Sequence, residues 1–160
     1  MDRKSKVIFI CNRNAARSPM AEGFLRALYR EACEAASAGL QSFRVSSTAI
    51  RVMREAGIDI SSHRSKSLSE LSGTQFDLVI SLCEEAACTP KPLLPGAKQY
   101  LHKAFPDPAT FRGDEEEVLA AYRDVRDRIG SWIRDEFGPG GSLRETDPPC
   151  SPPPPDLQKT

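Results

Sequence analysis

Apolar positions along the chain gather into two kinds of run. Lys6 to Ile10 and Phe76 to Leu82 (FDLVISL) are stretches dominated by β-branched, aromatic and leucine side chains, the composition of strands buried on both faces of a parallel sheet. Pro19 to Tyr29 instead sets Met20, Phe24, Leu25 and Leu28 at helical spacing, and Thr48 to Ala56 reads as a helix closed by Gly57. Asp114 to Phe137 carries Val118, Leu119, Tyr122, Val125, Ile129, Trp132 and Ile133 on one helical face. Weaker signals place a short strand just before Ser37-Ala38-Gly39, a helical turn or two within Ser65 to Leu71, and a strand near Lys98 to His102. Strands alternating with helices predict an α/β domain whose parallel sheet is covered on both sides. From Gly138 the chain turns to GPGGSLRETDPPCSPPPPDLQKT, which buries no core, so residues 1–137 are expected to form the domain and 138–160 a disordered Pro/Gly-rich tail. The PPPP run has the form of a polyproline ligand, but a tail without a binding role is the simpler expectation.

At 160 residues the chain suits one domain with a full core. Lysine plus arginine equals aspartate plus glutamate at 22 each, which argues against a nucleic-acid surface and makes any anion site a local one. The apolar stretch after the basic MDRKSK is too short for a signal peptide or a membrane span, so a cytoplasmic, non-membrane protein is expected. Five irregularly spaced cysteines look like thiols kept for chemistry in a reducing compartment, unlike a secreted disulfide framework.

One of those thiols sits where the first strand meets the first helix. Cys11 to Ser18 reads C-N-R-N-A-A-R-S. Five residues, Asn12, Arg13, Asn14, Ala15 and Ala16, separate the cysteine from Arg17, enough for a tight loop to wrap its backbone N–H groups around a tetrahedral oxyanion while the guanidinium donates two parallel hydrogen bonds. The helix N-terminus adds positive potential at the same point, which favours both the bound anion and the nucleophilic thiolate of Cys11. Ser18 is placed to donate its hydroxyl to that thiolate. The plain alternative is a packing cysteine beside an ordinary first-turn arginine; it loses ground because a strand precedes the motif and a helix follows it. The chain has no GxxxxGK[ST], and no GxGxxG follows the first strand, which removes the main support for nucleotide-binding loops.

With CNRNAARSPMAEG, SAG at 37–39, GIDISSHRSKSL at 57–68, FDLVISLC at 76–83, FPDP at 105–108 and YRDVRDRIGSWI at 122–133, the chain resembles the low-molecular-weight tyrosine phosphatase superfamily, and within it the thioredoxin-coupled arsenate reductases. The resemblance implies a three-layer α/β sandwich with a four-stranded parallel sheet. It assigns Cys11 as nucleophile, Arg17 as anion clamp and Asp107 as general acid. A carboxyl group held between Pro106 and Pro108 suits that task, although Asp-Pro is also common in plain turns. Two departures fall in the loop: Arg13 stands where the relatives usually have glycine, and Ala16 where they often have a second cysteine. If position 13 requires positive φ, arginine costs on the order of 1 kcal/mol there. Asn14 is expected to buttress the loop. With Glu22 and Ser37 it resembles a monovalent-cation site of some relatives, but the acidic partner expected near Lys66 is missing, so no cation is assigned.

What the resemblance implies for function turns on Cys83 and Cys88. Reducing arsenate to arsenite takes two electrons from a dithiol, whereas hydrolysis of a phosphate ester takes one thiol. In the implied relay Cys11 attacks arsenic, Cys83 then attacks Cys11, and Cys88 attacks Cys83 to carry the disulfide outward to a reductant. Plainer readings stand beside this one: Cys83 as a packing residue, the pair as half a zinc site, or Cys88 as an incidental thiol. Zinc is disfavoured because His63 and His102, the only histidines, lie at no ligand-like spacing; both are read as structural. Four residues separate Cys83 from Cys88, fewer than in the thioredoxin-linked relatives, which leaves glutaredoxin with glutathione as an alternative donor to thioredoxin. Cys33, on or just after the first helix, and Cys150, in the tail, are read as bystanders. No tightly bound cofactor is expected. The alternatives are a tyrosine phosphatase working through a phosphocysteine, disfavoured because Ala-Thr-Phe-Arg follows Asp107-Pro108 in place of adjacent tyrosines, and a non-catalytic oxyanion-binding protein.

Overall fold

The computed structural model describes residues 4–71, 73–84, 94 and 96–138. Strands β1 (Ser5–Cys11), β2 (Cys33–Gly39), β3 (Leu78–Ser81) and β4 (Gln99–His102) form one parallel sheet in the order β2-β1-β3-β4. Helix α1 (Arg17–Tyr29) joins β1 to β2, and α2 (Ser47–Glu55) with a 3-10 turn (Leu68–Leu71) lies between β2 and β3. A second 3-10 turn (Pro108–Thr110) follows β4 and precedes α3 (Glu115–Phe137). The β1–β2 and β2–β3 connections run in opposite directions along the sheet, so right-handed crossovers carry them over opposite faces and produce the three layers.

Why β1 is central follows from its side chains. Val7, Ile8, Phe9 and Ile10 are all at most 1% exposed, as expected for a strand hydrogen-bonded on both edges and covered on both faces. Helix α3 is started by Asp114, whose Oδ1 accepts from Glu117 N at 2.9 Å, with Glu115, Glu116 and Glu117 against the positive end of the helix. Its apolar stripe packs Leu119, Tyr122, Val125, Ile129 and Ile133 inward, while Val118 and Trp132 sit at its margins, half-buried. Arg123 grips Glu55 through two bonds of 2.9 and 2.8 Å and Arg126 adds a third at 3.1 Å, tying α3 to α2.

Three expectations change. β2 has seven residues, paired with β1 from Ser5↔Cys33 to Cys11↔Gly39, so Cys33 opens a strand and does not belong to α1. Its sequence CEAASAG lacks the β-branched signal because a strand beside a helix-covered neighbour needs small side chains as much as stiff ones. Leu28 is 41% exposed: only the first turns of α1, through Leu25, are buried, and the last turn runs past its partners. β3 ends at Ser81, leaving Leu82 and Cys83 just beyond it. Residues 139–160, which include most of the expected tail and Cys150, lie outside the described residues, as does Cys88.

Because all four strands are parallel, their C-terminal ends meet at one edge of the sheet, where such folds build their sites. Cys11, Gly39, Cys83 and the segment leading from His102 to Asp107 all lie there.

Candidate active site

Residues Asn12 to Ala16 leave β1 and re-enter as α1, with Cys11 as the last strand residue and Arg17 as the first helical one. The loop's carbonyls point outward to neighbouring segments. Cys11 O accepts from Leu40 N at 3.1 Å, Asn12 O from Gln41 N at 3.0 Å, and Ala15 O from Ser46 N at 2.8 Å. Arg13 O accepts from the Ser65 hydroxyl at 3.2 Å. The N–H groups of Arg13 to Ala16 donate to no acceptor among the described residues. Carbonyls turned out and amides left over are the arrangement that forms a concave anion nest, and the first turn of α1 continues it.

The one non-glycine residue at positive φ among those described is Asn14, at 52°. The left-handed residue of the loop is therefore Asn14 and not Arg13. Asparagine is among the side chains that tolerate this conformation, so the departure at position 13 carries no such strain. Arg13 instead lays its guanidinium over the Phe43 ring, 5.3 Å from its centroid. Asn14 is fully buried and its amide is saturated: Nδ2 donates to Ser18 Oγ at 2.8 Å and to Ser37 Oγ at 2.9 Å, and Oδ1 accepts from Lys66 N at 2.9 Å. Only its backbone faces the nest.

That network extends to Cys11. Ser18 Oγ receives a hydrogen from Asn14 and lies 2.9 Å from Cys11 Sγ. Ser18 Oγ also lies 3.5 Å from Ala38 O, so this serine links the sulfur to the Asn14 side chain and to β2. Behind Ser37, whose hydroxyl donates to Glu22 Oε1 at 2.7 Å, the buried carboxylate of Glu22 is ringed by Arg26 at 3.0 Å and His63 at 3.4 Å. Burial holds the His63 and Lys66 pKa values below their ordinary range, with Glu22 opposing in both cases. The acid that a cation would neutralise is thus already surrounded by the chain's own bases.

The strand expected just before Ser37-Ala38-Gly39 runs through these residues and ends at Gly39. A Cβ there would stand 2.6 Å from Asn14 N, 2.7 Å from Arg13 C and 2.5 Å from Gln41 O, all backbone atoms, so the end of β2 can press against the loop only as glycine.

Arg17 is 7% exposed and is held from the β4 side: Nη1 donates to Phe105 O at 3.3 Å and Nη2 lies 3.4 Å from Asp107 Oδ2. Asp107 caps the Pro108–Thr110 turn, its Oδ1 accepting from Ala109 N at 3.0 Å. One carboxyl oxygen is fixed by the turn and the other faces the arginine and the site. Cys11, Arg13, Ala15, Ala16, Arg17 and Asp107 wall a recess of about 50 Å³, completed by Ser46, Ala109 and Tyr122. Ser46 and Tyr122 were not expected here: Tyr122 reads in sequence as one more member of an apolar stripe, and Ser46 as a residue ahead of a helix.

Cys83 is buried, 2% exposed. Leu82 N donates to Ile10 O at 2.7 Å, so the chain leaving β3 runs beside Cys11, with Cys83 one residue further on and about one or two strand spacings of ~5 Å away. Ser81 and His102 share a bond of 2.7 Å just below. No group of three or more His, Cys, Asp or Glu side chains suited to a metal ion occurs among the described residues. No described helix is long and apolar enough to cross a membrane.

Comparison with known proteins agrees with this geometry. The family model described as low molecular weight phosphotyrosine protein phosphatase matches residues 6–137. The arsenate reductase of Halalkalibacterium halodurans is 38% identical over 133 residues, 82% of this chain and 94% of that protein. A glutaredoxin arsenate reductase of Synechocystis sp. is 47% identical over 78 residues, 49% of this chain and 60% of that protein. Among solved structures, an arsenate reductase in an oxidized state aligns with a TM-score of 0.70 at 33% identity, covering 81% of this chain and 94% of that one.

Proposed function

The chain belongs to the low molecular weight phosphotyrosine protein phosphatase family, and within it we propose that it is an arsenate reductase working through a three-thiol relay. The observation that carries this reading is a second buried cysteine, Cys83, beside the strand that ends in Cys11. Hydrolysis through Cys11 needs one thiol, whereas reduction needs a dithiol.

The Cys11 thiolate, stabilised by Ser18 and the nest, attacks arsenic while Arg17 and the loop amides hold three oxygens. Asp107 protonates the departing oxygen, which leaves as water and gives an arsenylated cysteine. Cys83 then attacks Cys11 Sγ: the sulfur–arsenic bond breaks, its electron pair stays on arsenic, arsenite departs, and a Cys11–Cys83 disulfide remains. Cys88 attacks Cys83, freeing Cys11 and leaving a Cys83–Cys88 disulfide for an external dithiol to reduce. The relay needs no tightly bound cofactor and operates in a reducing compartment, the cytoplasm. The donor is thioredoxin, or glutaredoxin with glutathione, an alternative supported by the name of the Synechocystis relative. The family description supports a second reading, hydrolysis of phosphate monoesters with the same Cys11, Arg17 and Asp107.

Arsenate-dependent NADPH oxidation with thioredoxin and thioredoxin reductase, or with glutaredoxin and glutathione, separates the two. Turnover lost in Cys11→Ser, Cys83→Ser and Cys88→Ser, with aryl-phosphate hydrolysis lost only in Cys11→Ser, is the expected result. No arsenate turnover with either donor, alongside brisk hydrolysis indifferent to Cys83 and Cys88, refutes the reductase.

A further inference from the structure

We infer that Tyr122 is a specificity-determining residue whose phenol donates a hydrogen bond to the bound oxyanion, a role that rests on the oxyanion site proposed above. Tyr122 lies on the buried face of α3, 6% exposed, among residues otherwise apolar. Tyr122 nonetheless lines the recess walled by Cys11, Arg17 and Asp107, and its hydroxyl lies 3.4 Å from that of Ser46, which lines the same recess.

The hydrogen-bond inventory shows what that hydroxyl has left to give. Ser46 is the N-cap of α2: its Oγ accepts from Ala49 N at 3.2 Å and donates to Tyr122 Oη at 3.4 Å. The phenol oxygen is therefore an acceptor in this pair, and its own hydrogen has no acceptor among the described residues. A buried tyrosine hydroxyl ordinarily finds a partner, and the recess is the space that both members of the pair line. An oxyanion there supplies the missing acceptor. Ser46 in turn is positioned by the loop itself, since its N–H donates to Ala15 O at 2.8 Å. Ser46 thus links the loop and the phenol.

The chemical consequence is selectivity. A donor added at the wall favours a small tetrahedral dianion whose oxygens are all free to accept, such as phosphate or arsenate, over an ester whose substituent would crowd that wall.

The test is protection of Cys11 in the full chain. Alkylation by iodoacetamide is followed at the Cys11 peptide by mass spectrometry over a series of inorganic phosphate concentrations, for the native protein and for Tyr122→Phe, which keeps the ring and its packing. The half-protecting phosphate concentration is expected to rise on the order of tenfold in the variant, the weight of a hydrogen bond to a charged acceptor. The melting temperature is expected to fall slightly through the lost Ser46 bond, and a merely structural role would show that fall with no change in the half-protecting phosphate concentration. Equal half-protecting concentrations in the two proteins overturn the inference and leave the oxyanion site standing. Failure of phosphate to protect Cys11 in the native protein overturns both.

Discussion

Replacing Asn14 tests how the loop is held. Asn14→Ala strips the Lys66 N–H of its acceptor and removes two donated bonds, to Ser18 and Ser37. A buried donor left unpaired costs ~1–3 kcal/mol, and each lost bond between neutral groups ~0.5–1.5 kcal/mol. The backbone adds to this, because φ is 52° at this position and alanine in the left-handed region costs roughly 1 kcal/mol. The expected total is about 3–7 kcal/mol, a large part of the ~5–15 kcal/mol that holds a domain together. Asn14→Gly removes the same bonds without the steric penalty and should be about 1 kcal/mol less damaging than alanine. Urea unfolding of the three proteins, analysed at a common slope, gives the two differences directly. An alanine variant within 1 kcal/mol of native, or a glycine variant less stable than alanine, would show that Asn14 neither buttresses the loop nor carries its left-handed turn.

Two further outcomes follow from the packing and the charges. Gly39→Ala should cost about 1–3 kcal/mol through overpacking and, because the atoms it strikes are backbone of the loop, should also abolish phosphate protection of Cys11; a stable variant with native protection contradicts the close approach. Arg123 and Arg126 hold the Glu55 carboxyl well down, at about 2, against an unfolded value of ~4.3. A carboxylate depressed on folding stabilises above its unfolded pKa and loses that contribution as pH falls toward the folded one. Glu55→Gln should therefore lower the melting temperature at neutral pH and flatten its fall between about pH 5 and 2, the effect shrinking in salt because the pair is exposed; parallel acid limbs in the two proteins would show that the α2–α3 pairing contributes nothing.

Most of the fold was written in periodicity. β1, β3, α2 and α3 follow from runs and stripes whose side chains had one way to be buried. β2 was faint because CEAASAG is made of small residues whose role is to let neighbours come close, and closeness leaves no hydropathy signal. Leu28 shows the converse: its spacing is right, but whether the last turn of α1 is covered depends on where its partners stop.

Sequence alone placed a strand–loop–helix around Cys11 and Arg17, since that motif is local and its amides face inward by virtue of a tight turn. It also marked Asp107 and Cys83 as candidates, but their relation to the loop spans 96 and 72 residues of chain, distances over which no pattern specifies contact. Tertiary structure decided that Asn14 and not Arg13 takes the left-handed turn, because the acceptors and donors that reward it, Lys66, Ser18 and Ser37, come from three separate segments. It likewise decided that Tyr122 lines the recess beside Cys11: a helical stripe fixes which side of α3 is buried, whereas the position of one residue along that side is set only when α3, α2 and the loop pack together.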